Sequence, residues 1–200
     1  MPAKIGILTI FTVVLTSLTE AASNKEVQAM KNLDIRRYAG IWYEQASSRA
    51  AKATFELGCH CSFAEYSWTP GSTAVDVRNS CKRQQFSEVR GKAYPVSPVS
   101  QDGIIEEARF YVDFTERDPP STDPGNYWVL WTDYNYAIVG GPRPSKYFFF
   151  LSRASQITED ELEYMRKRAL EAGMLSVDLL PPFLVRTDQD PHLCREAATR

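Results

Sequence analysis

The residues best suited to chemistry are four cysteines, Cys59, Cys61, Cys81 and Cys194. A thiolate can bind zinc, attack a substrate or be oxidised to a disulfide. Zinc would need a second ligand pair at a usual spacing from the Cys-x-Cys segment around His60, and the chain has only 2 histidines. We therefore predict no metal site and no cofactor, and expect the cysteines to form disulfides.

Disulfides require an oxidising compartment, and the start of the chain predicts one. Lys4 precedes an apolar run, Ile5 to Leu18, and Ala21-Ala22-Ser23 resembles a cleavage site. This pattern predicts a secretory signal peptide over residues 1–23 and a secreted, extracellular protein. The alternative is an N-terminal membrane anchor, for which the apolar run is short. The even number of cysteines then predicts two disulfides, with three possible pairings.

Composition indicates one packed domain. Hydrophobic residues make up 44% of the 200 residues, and the net charge is -2 with acids and bases interspersed. A nucleic-acid partner is not expected, because such a protein presents a basic face. We predict a single domain over residues 24–194, followed by a flexible tail over residues 195–200.

Short segments of alternating polarity recur along the chain, separated by turn residues. Eight such strands with hairpin-length connections predict an all-β fold, an antiparallel up-and-down β-barrel. No helix lies between them, which disfavours a parallel α/β sheet. The predicted strands cover residues 41–48, 61–68, 73–80, 86–95, 105–114, 126–132, 135–140 and 146–152.

One C-terminal helix is predicted after the strands. Thr158 and Glu161 form a capping box at its start. Leu162, Met165, Ala169 and Ala172 then share one face, and Gly173 ends the helix. The face is narrow, which predicts packing against the outside of the barrel. Residues 181–185 are interpreted as a short edge strand.

Three motifs resemble the conserved regions of one family. Gly40-x-Trp42 opens the first strand, Thr132-Asp133-Tyr134 lies at a late hairpin, and Leu151-Ser152-Arg153 ends the last strand. Together they resemble the three conserved regions of the lipocalins. The resemblance implies that Trp42 closes the barrel floor, that Arg153 packs across it, and that Gly40 belongs to this structural floor.

Further motifs narrow the resemblance to the apolipoprotein D and bacterial lipocalin group. They are Gly91-Lys92-Ala93-Tyr94, the Tyr-Ala-Ile-Val stretch at 136–139 and the capping box at 158–161. The resemblance extends from Leu33 to Gln189. Phe149 stands where apolipoprotein D has a tryptophan, which leaves ligand identity open. The pocket positions that it implies are Tyr66, Asn79, Phe114, Tyr127, Phe149 and Leu151.

Period-two alternation extends this pocket. With Trp42 inward, Glu44 also faces the lumen. In the strand at 126–132, Tyr127, Val129 and Trp131 form one face, and Trp128 and Leu130 form a second apolar face. Which of the two faces the lumen stays open. The predicted ligand-binding residues are Glu44, Tyr66, Val77, Asn79, Phe110, Val112, Phe114, Tyr127, Val129, Phe149 and Leu151.

Glu44 is the unusual member of this set. A buried carboxylate must be protonated or hydrogen-bonded, because an unpaired buried charge is costly. Two interpretations stay open: a structural glutamate bonded to backbone or a tyrosine near the floor, or a group that contacts the ligand.

The resemblance also implies a disulfide pairing. The Cys-x-x-Ala-x-Tyr-Ser pattern at Cys61 is similar to apolipoprotein D, in which the corresponding cysteine pairs with one in the C-terminal tail. This implies Cys61–Cys194 and leaves Cys59–Cys81. The exchange of Cys59 and Cys61 stays open.

These features predict a secreted carrier and not an enzyme. The implied ligands are fatty acids, lysophospholipids, sterols, retinoids and tetrapyrroles, with roles in lipid metabolism or oxidative-stress protection. Membrane lipids and a cell-surface receptor are candidate partners. The alternative is a lipocalin-type isomerase that uses a luminal cysteine, since Cys81 shares the parity of Val77 and Asn79. A third possibility is a filled barrel that binds a partner through its loops.

Overall fold

The computed structural model describes residues 27–115, 124–143 and 146–195. The predicted signal peptide and residues 196–200 of the predicted tail lie outside this part of the chain. The strands are β1 Lys31–Asp34, β2 Gly40–Ser48, β3 His60–Ser67, β4 Val75–Lys82, β5 Phe86–Pro95, β6 Ile104–Glu107, β7 Arg109–Asp113, β8 Tyr127–Thr132, β9 Tyr136–Gly140, β10 Phe148–Ser152 and β11 Leu184–Arg186. The helices are α1 Ile35–Tyr38, α2 Arg49–Lys52, α3 Glu159–Glu171 and α4 Pro191–Cys194, with a 3-10 turn at Ser176–Leu179.

Eight of these strands form a closed antiparallel barrel. Their order around the wall is β2, β3, β4, β5, β7, β8, β9, β10, and β10 pairs again with β2. Closure satisfies the backbone groups that an open sheet would leave at its edges. The predicted fold class is confirmed: an all-β barrel with one long helix packed outside.

Alternation divides the apolar side chains of the barrel between two cores. One core lies inside the barrel and includes Trp42, Tyr66, Val77 and Val139. The other lies between the barrel wall and α3, where Leu162, Met165 and Ala169 pack on Phe148, Phe150 and Ile138. The capping box of Thr158 and Glu161 begins α3 as predicted.

The predicted strand over residues 105–114 was wrong in one respect. It is two strands, β6 and β7, separated at Ala108, whose amide donates to the carbonyl of Met30. β6 leaves the barrel and pairs with β1, a strand that the sequence did not reveal. This two-stranded sheet and α1 lie beside the closed end of the barrel, and Leu33 of β1 and Ile105 of β6 are buried in the same core as Trp42.

A bulge in β8 decides the face of Trp131. The register between β8 and β9 shifts between Val129 and Trp131, so Tyr127 and Val129 face inward while Trp131 faces outward. Its ring packs against Tyr164 of α3, with ring centres 5.8 Å apart. The face with Trp131 and Tyr127 together was therefore wrong, because one extra residue reverses the alternation.

The segment after β11 completes the barrel wall. β2 pairs with β3 only over Gly40–Tyr43, and beyond that point the two strands diverge. The amide of Thr187 donates to the carbonyl of Gln45 on β2, and the amide of Cys61 on β3 donates to the carbonyl of Asp188. Gln189 Nε2 donates to the carbonyls of both strands, at Glu44 and Ser62, over 2.9 and 2.7 Å. We call residues 187–189 the closing segment.

Two disulfides fix this end of the molecule. Cys61 is bonded to Cys194, which ties β3 to α4 just beyond the closing segment. Cys59 is bonded to Cys81 across β3 and β4. This is the pairing that the sequence resemblance implied, and the exchanged pairing is not present. The predicted edge strand at 181–185 occurs slightly later, as β11, paired with β2.

Candidate functional site: an open cavity in the barrel

The closed end of the barrel is built around Trp42. The guanidinium carbon of Arg153 lies 3.8 Å from the centre of the Trp42 ring, and Trp42 Nε1 donates to the carbonyl of Tyr38 over 2.7 Å. Arg153 also donates to the carbonyls of Ala39 and Ile41. Gly40 has φ +97°, a conformation that favours glycine, and a Cβ there would crowd the stacked guanidinium group, at 3.3 Å from Arg153 Nη1.

Above this floor the barrel contains a cavity of about 660 Å³ that opens at the far end. Its volume is within the usual range for a small-molecule site. The wall is a mixture of aromatic and aliphatic side chains with a few polar groups. Among the described residues, the lining includes Phe55, Tyr66, Val77, Asn79, Val112, Phe114, Tyr127, Val139, Phe149 and Leu151.

Most residues of the predicted ligand set meet at this cavity. Glu44, Tyr66, Val77, Asn79, Val112, Phe114, Tyr127, Phe149 and Leu151 line it. Phe110 and Val129 are instead buried in the packed core and do not line the cavity. Both face inward, as the alternation indicates. Phe110 packs edge-on against Tyr127, and the Val129 amide donates a hydrogen bond to the Ala108 carbonyl. Both residues therefore lie beside the small sheet of β1 and β6.

Three tyrosines form a hydroxyl chain at the inner end of the cavity; Tyr38 and Tyr66 are buried and Tyr127 is half-buried. Tyr66 donates to the Tyr127 hydroxyl over 3.0 Å, and the hydroxyls of Tyr38 and Tyr127 lie 2.8 Å apart. Burial raises the pKa of Tyr66 to about 12 and raises the pKa values of Tyr38 and Tyr127 well above the ordinary value of 10, so all three hydroxyls are neutral at physiological pH. Tyr38 was not part of the predicted site. It lies on α1, a single turn too short for a periodic signal.

One wall of the cavity carries a buried charged cluster. Lys52 Nζ lies 2.5 Å from Glu44 Oε1 and 3.2 Å from Glu56 Oε2. Thr187 of the closing segment donates its hydroxyl to Glu44, and Ser47 donates to Glu56 over 2.8 Å. Neither open interpretation of Glu44 anticipated these partners, since the carboxylate is held by a lysine and a threonine and not by backbone or a tyrosine.

The two carboxyl groups of this cluster differ in protonation. Burial and the negative charge of Glu44 raise the pKa of Glu56 from 4.5 to about 8. Burial opposes ionisation of Glu44 too, but hydrogen bonds with Glu56 and the charge of Lys52 lower its pKa below the ordinary value. At neutral pH the cluster therefore holds one carboxylate, one carboxylic acid and one ammonium group, with no net charge.

Two polar atoms on the adjacent wall have no partner among the described residues. They are Asn79 Oδ1 on β4 and Ser62 Oγ on β3, and both are buried. Both residues line the cavity. Buried polar atoms are nearly always hydrogen-bonded in folded proteins, so this wall is suited to a bound polar group.

The mouth of the cavity is apolar and exposed. Phe55, which follows α2, is 56% exposed, and Leu57 beside it is 66% exposed. The Phe55 ring lies 5.5 Å from that of Tyr147. Arg83 holds this segment in place by donating to the carbonyls of Phe55 and Leu57, each over 3.0 Å. The sequence signal for Phe55 was absent, because a lone aromatic residue in a loop has no periodicity.

The alternative of a cysteine nucleophile is not supported by the geometry. Cys81 lines the cavity, as its parity indicated, but it is bonded to Cys59. All four cysteines are disulfide-bonded, so none has a thiolate. Among the described residues, no three His, Cys, Asp or Glu side chains converge as a metal site requires.

Comparison with known proteins identifies the family of this chain. The lipocalin-like domain family matches residues 33–181, most of the chain. The chain belongs to the lipocalin family. This lipocalin is 31% identical over 151 residues to temperature-induced lipocalin-1 of Arabidopsis thaliana. The matched region covers 74% of this chain and 78% of the relative. It is 33% identical over 111 residues to mouse apolipoprotein D, covering 54% and 51% of the two chains.

Solved structures share the fold of this lipocalin at lower identity. The cockroach allergen Per a 4 superposes with a TM-score of 0.56 at 16% identity, over 80% of this chain and 91% of the other. Insecticyanin from the tobacco hornworm Manduca sexta superposes with a TM-score of 0.55 at 18% identity, over 85% of this chain and 88% of the other. Within the described ranges, this lipocalin has no helix of the length and hydropathy needed to span a bilayer.

Proposed function

We propose that the protein is a carrier that binds a small hydrophobic ligand inside the barrel. One observation supports this most directly: the barrel is not filled by its own side chains, and its apolar cavity of about 660 Å³ is open to solvent. A ligand that buries about 300 Å² of apolar surface gains roughly 7 kcal/mol before association costs, enough for micromolar binding. Sterols, retinoids, fatty acids, lysophospholipids and tetrapyrroles are the candidate ligand classes.

Native mass spectrometry of the purified protein tests this proposal. A bound molecule in stoichiometric amount, released by denaturing extraction, would support a carrier and identify its ligand class, with an absorbance scan from about 300 to 700 nm to detect a chromophore. A mass equal to the polypeptide with two disulfides, followed by no uptake of fatty acid, retinoid or biliverdin, would contradict it. The loops would then be the place of binding.

We also propose that the protein is secreted and exchanges its ligand at a lipid surface. The support is chemical: the disulfides suit an oxidising compartment, and exposed Phe55 and Leu57 stand at the mouth beside cationic Arg83. Apolar side chains next to cations suit the interface of an anionic bilayer.

Vesicle sedimentation tests the lipid surface. The wild-type protein should bind phosphatidylcholine vesicles that contain phosphatidylserine more than vesicles of phosphatidylcholine alone. The double variant Phe55→Ser/Leu57→Ser should lose this binding. Val96→Ser is the matched control, since Val96 is 44% exposed but follows β5 at the closed end. Equal loss in the control, or no binding by the wild type, would contradict the proposal.

A further inference from the structure

The cavity has two walls of different polar character. The wall formed by β2, α2 and the following residues carries the carboxyl groups of Glu44 and Glu56 around Lys52. The wall formed by β3 and β4 carries Ser62 Oγ and Asn79 Oδ1, which are buried and unpaired within the described residues. A ligand in the cavity meets both walls, so its polar group has to suit them.

The charged wall disfavours an anionic ligand. Lys52 is the cation of that wall, and its ammonium group is already bonded to the two carboxyl groups. A ligand carboxylate placed there would lose its hydration, gain no unoccupied cation and lie near the ionised Glu44. Lys52 lies behind the two carboxyl groups and is not itself part of the cavity lining. Among the described residues, the lining cation is Arg83 at the mouth, where it donates to the carbonyls of Phe55 and Leu57.

The wall formed by β3 and β4 carries no charge at Ser62 and Asn79, and it suits a small ligand group that can donate a hydrogen bond. A buried carbonyl oxygen without a partner is unfavourable, and a hydroxyl or N–H group from the ligand would satisfy it. Asn79 is directly opposite Ala64 in the β3–β4 register, and Ser62 lies on the same strand as Ala64, so the two polar side chains belong to one wall. A ligand hydroxyl can donate to Asn79 Oδ1, and a ligand oxygen can accept from the Ser62 hydroxyl.

We propose that the cavity selects neutral ligands that carry a hydroxyl or N–H group, bound by Asn79 and Ser62, over ligands that carry a carboxylate. This inference rests on the proposed carrier function and narrows its ligand class. It favours alcohols such as sterols and retinol over fatty acids and retinoic acid. Asn79 acts as the specificity-determining residue. The Lys52 cluster disfavours an anion, because its ammonium group is already paired with two carboxyl groups.

Three ligands with the same polyene test the selectivity: all-trans-retinol, retinyl methyl ether and all-trans-retinoic acid. Their dissociation constants are measured at pH 7.4 by quenching of tryptophan fluorescence. Loss of one hydrogen bond corresponds to about a fivefold to tenfold change in affinity, so retinol should bind tighter than the ether by that factor. Retinoic acid should bind at least about tenfold more weakly than retinol, because a buried, unpaired carboxylate costs more than a lost hydrogen bond.

Variants separate the hydrogen bond from packing. Asn79→Leu should lower the affinity for retinol to that for retinyl methyl ether, and it should leave the affinity for the ether unchanged. Leu151→Ala, which removes lining volume from a different strand, should weaken retinol and the ether equally. Equal binding of retinol and the ether by the wild type would overturn the inference. Retinoic acid binding as tight as retinol would also overturn it, and loss of that binding in Arg83→Gln would place the carboxylate at the mouth.

A second ligand pair keeps the test independent of polyene shape. Hexadecanol and palmitate are compared by displacement of a fluorescent apolar probe, with the same expected order. Tight binding of both members of either pair without discrimination leaves the carrier function intact and overturns the selectivity. Failure of every ligand and of the probe to bind contradicts the carrier function itself, and the selectivity with it.

Discussion

Arg153 stacks on Trp42 at the closed end of the barrel, with its guanidinium carbon 3.8 Å from the ring centre. The same guanidinium group donates to the carbonyls of Arg37, Ala39 and Ile41 over 2.7–2.8 Å. It therefore joins the chain around α1 to the first and last strands of the barrel. No other residue type combines a planar stacking face with this many donors.

Replacing Arg153 should destabilise the fold more than loss of one ion pair would. In Arg153→Ala the stacking contact is lost and several carbonyls lose their donor, so we expect the free energy of unfolding to fall by about 2–4 kcal/mol. Urea denaturation followed by tryptophan fluorescence measures this. Arg90→Ala is the control, because Arg90 is 72% exposed and a surface ion pair contributes at most about 1 kcal/mol. Equal losses in both variants would contradict the structural role.

Tyr127 should matter more than the other tyrosines of the hydroxyl chain. Tyr127→Phe leaves the hydroxyls of both Tyr38 and Tyr66 without their partner, whereas Tyr66→Phe removes only one bond. We expect Tyr127→Phe to cost about 1–3 kcal/mol and Tyr66→Phe about 1 kcal/mol. Denaturation of the two variants in parallel tests the order. A Tyr66→Phe variant that is less stable than Tyr127→Phe would show that the central hydroxyl is not the shared partner.

The two disulfides should contribute unequally. Cys61 and Cys194 are 133 residues apart in sequence, and Cys59 and Cys81 are 22 apart. On the chain-entropy model, the first bond stabilises the fold by about 5 kcal/mol and the second by about 3 kcal/mol. The double variants Cys61→Ser/Cys194→Ser and Cys59→Ser/Cys81→Ser should follow this order in urea.

Hydrogen exchange distinguishes a local role of the first disulfide from a global one. In the Cys61→Ser/Cys194→Ser variant the amide of Thr187 should lose protection before the amides in the middle of β4 do. The Cys59→Ser/Cys81→Ser variant is the control and should leave Thr187 protected. Protection of Thr187 in both variants would mean that the closing segment holds without Cys194.

Glu56 should make the protein less stable as the pH rises. Its pKa is about 8 in the folded state against an ordinary value of 4.5, so between these values the folded protein binds a proton that the unfolded chain has released. The free energy of unfolding therefore falls across this window, by up to about 1.4 kcal/mol for each pH unit. Glu44 has a lowered pKa, so its contribution, which is lost on acidification, changes only below this window.

The variant Glu56→Gln removes this dependence, because an amide can donate to Glu44 as the carboxylic acid does. Relative to the wild type, it should gain about 2–4 kcal/mol of stability between pH 5 and pH 8. Urea denaturation at each pH unit measures the difference. A constant difference over that range would mean that Glu56 is already ionised at pH 5.

Regular alternation explains which features were predictable from sequence. Val77 and Asn79 pair with β5, and Phe149 pairs with β9, without a register shift, so parity placed them at the cavity. Trp131 was misplaced because a bulge inserts one residue, and bulges have no sequence signature here. Phe110 faces inward as parity requires, but parity gives the side of a strand and not the height along the barrel.

The charged cluster shows a different limit of sequence-based prediction. Glu44, Lys52 and Thr187 belong to a strand, a single helical turn and the closing segment, and only the tertiary fold brings them together. Lys52 and Glu56 are four residues apart, a spacing that in a loop carries no information. The position of Glu44 was predictable, whereas its partners were not.

The closing segment has a consequence for the order in which the cavity forms during synthesis. All eight strands of the barrel have been made once Ser152 is in place, but the wall between β2 and β3 waits for residues 187–189. Until then, the hydrogen bonds that join β2 to β3 beside Glu44 cannot form. The cavity wall next to the charged cluster is therefore completed only after α3 and β11 have been made.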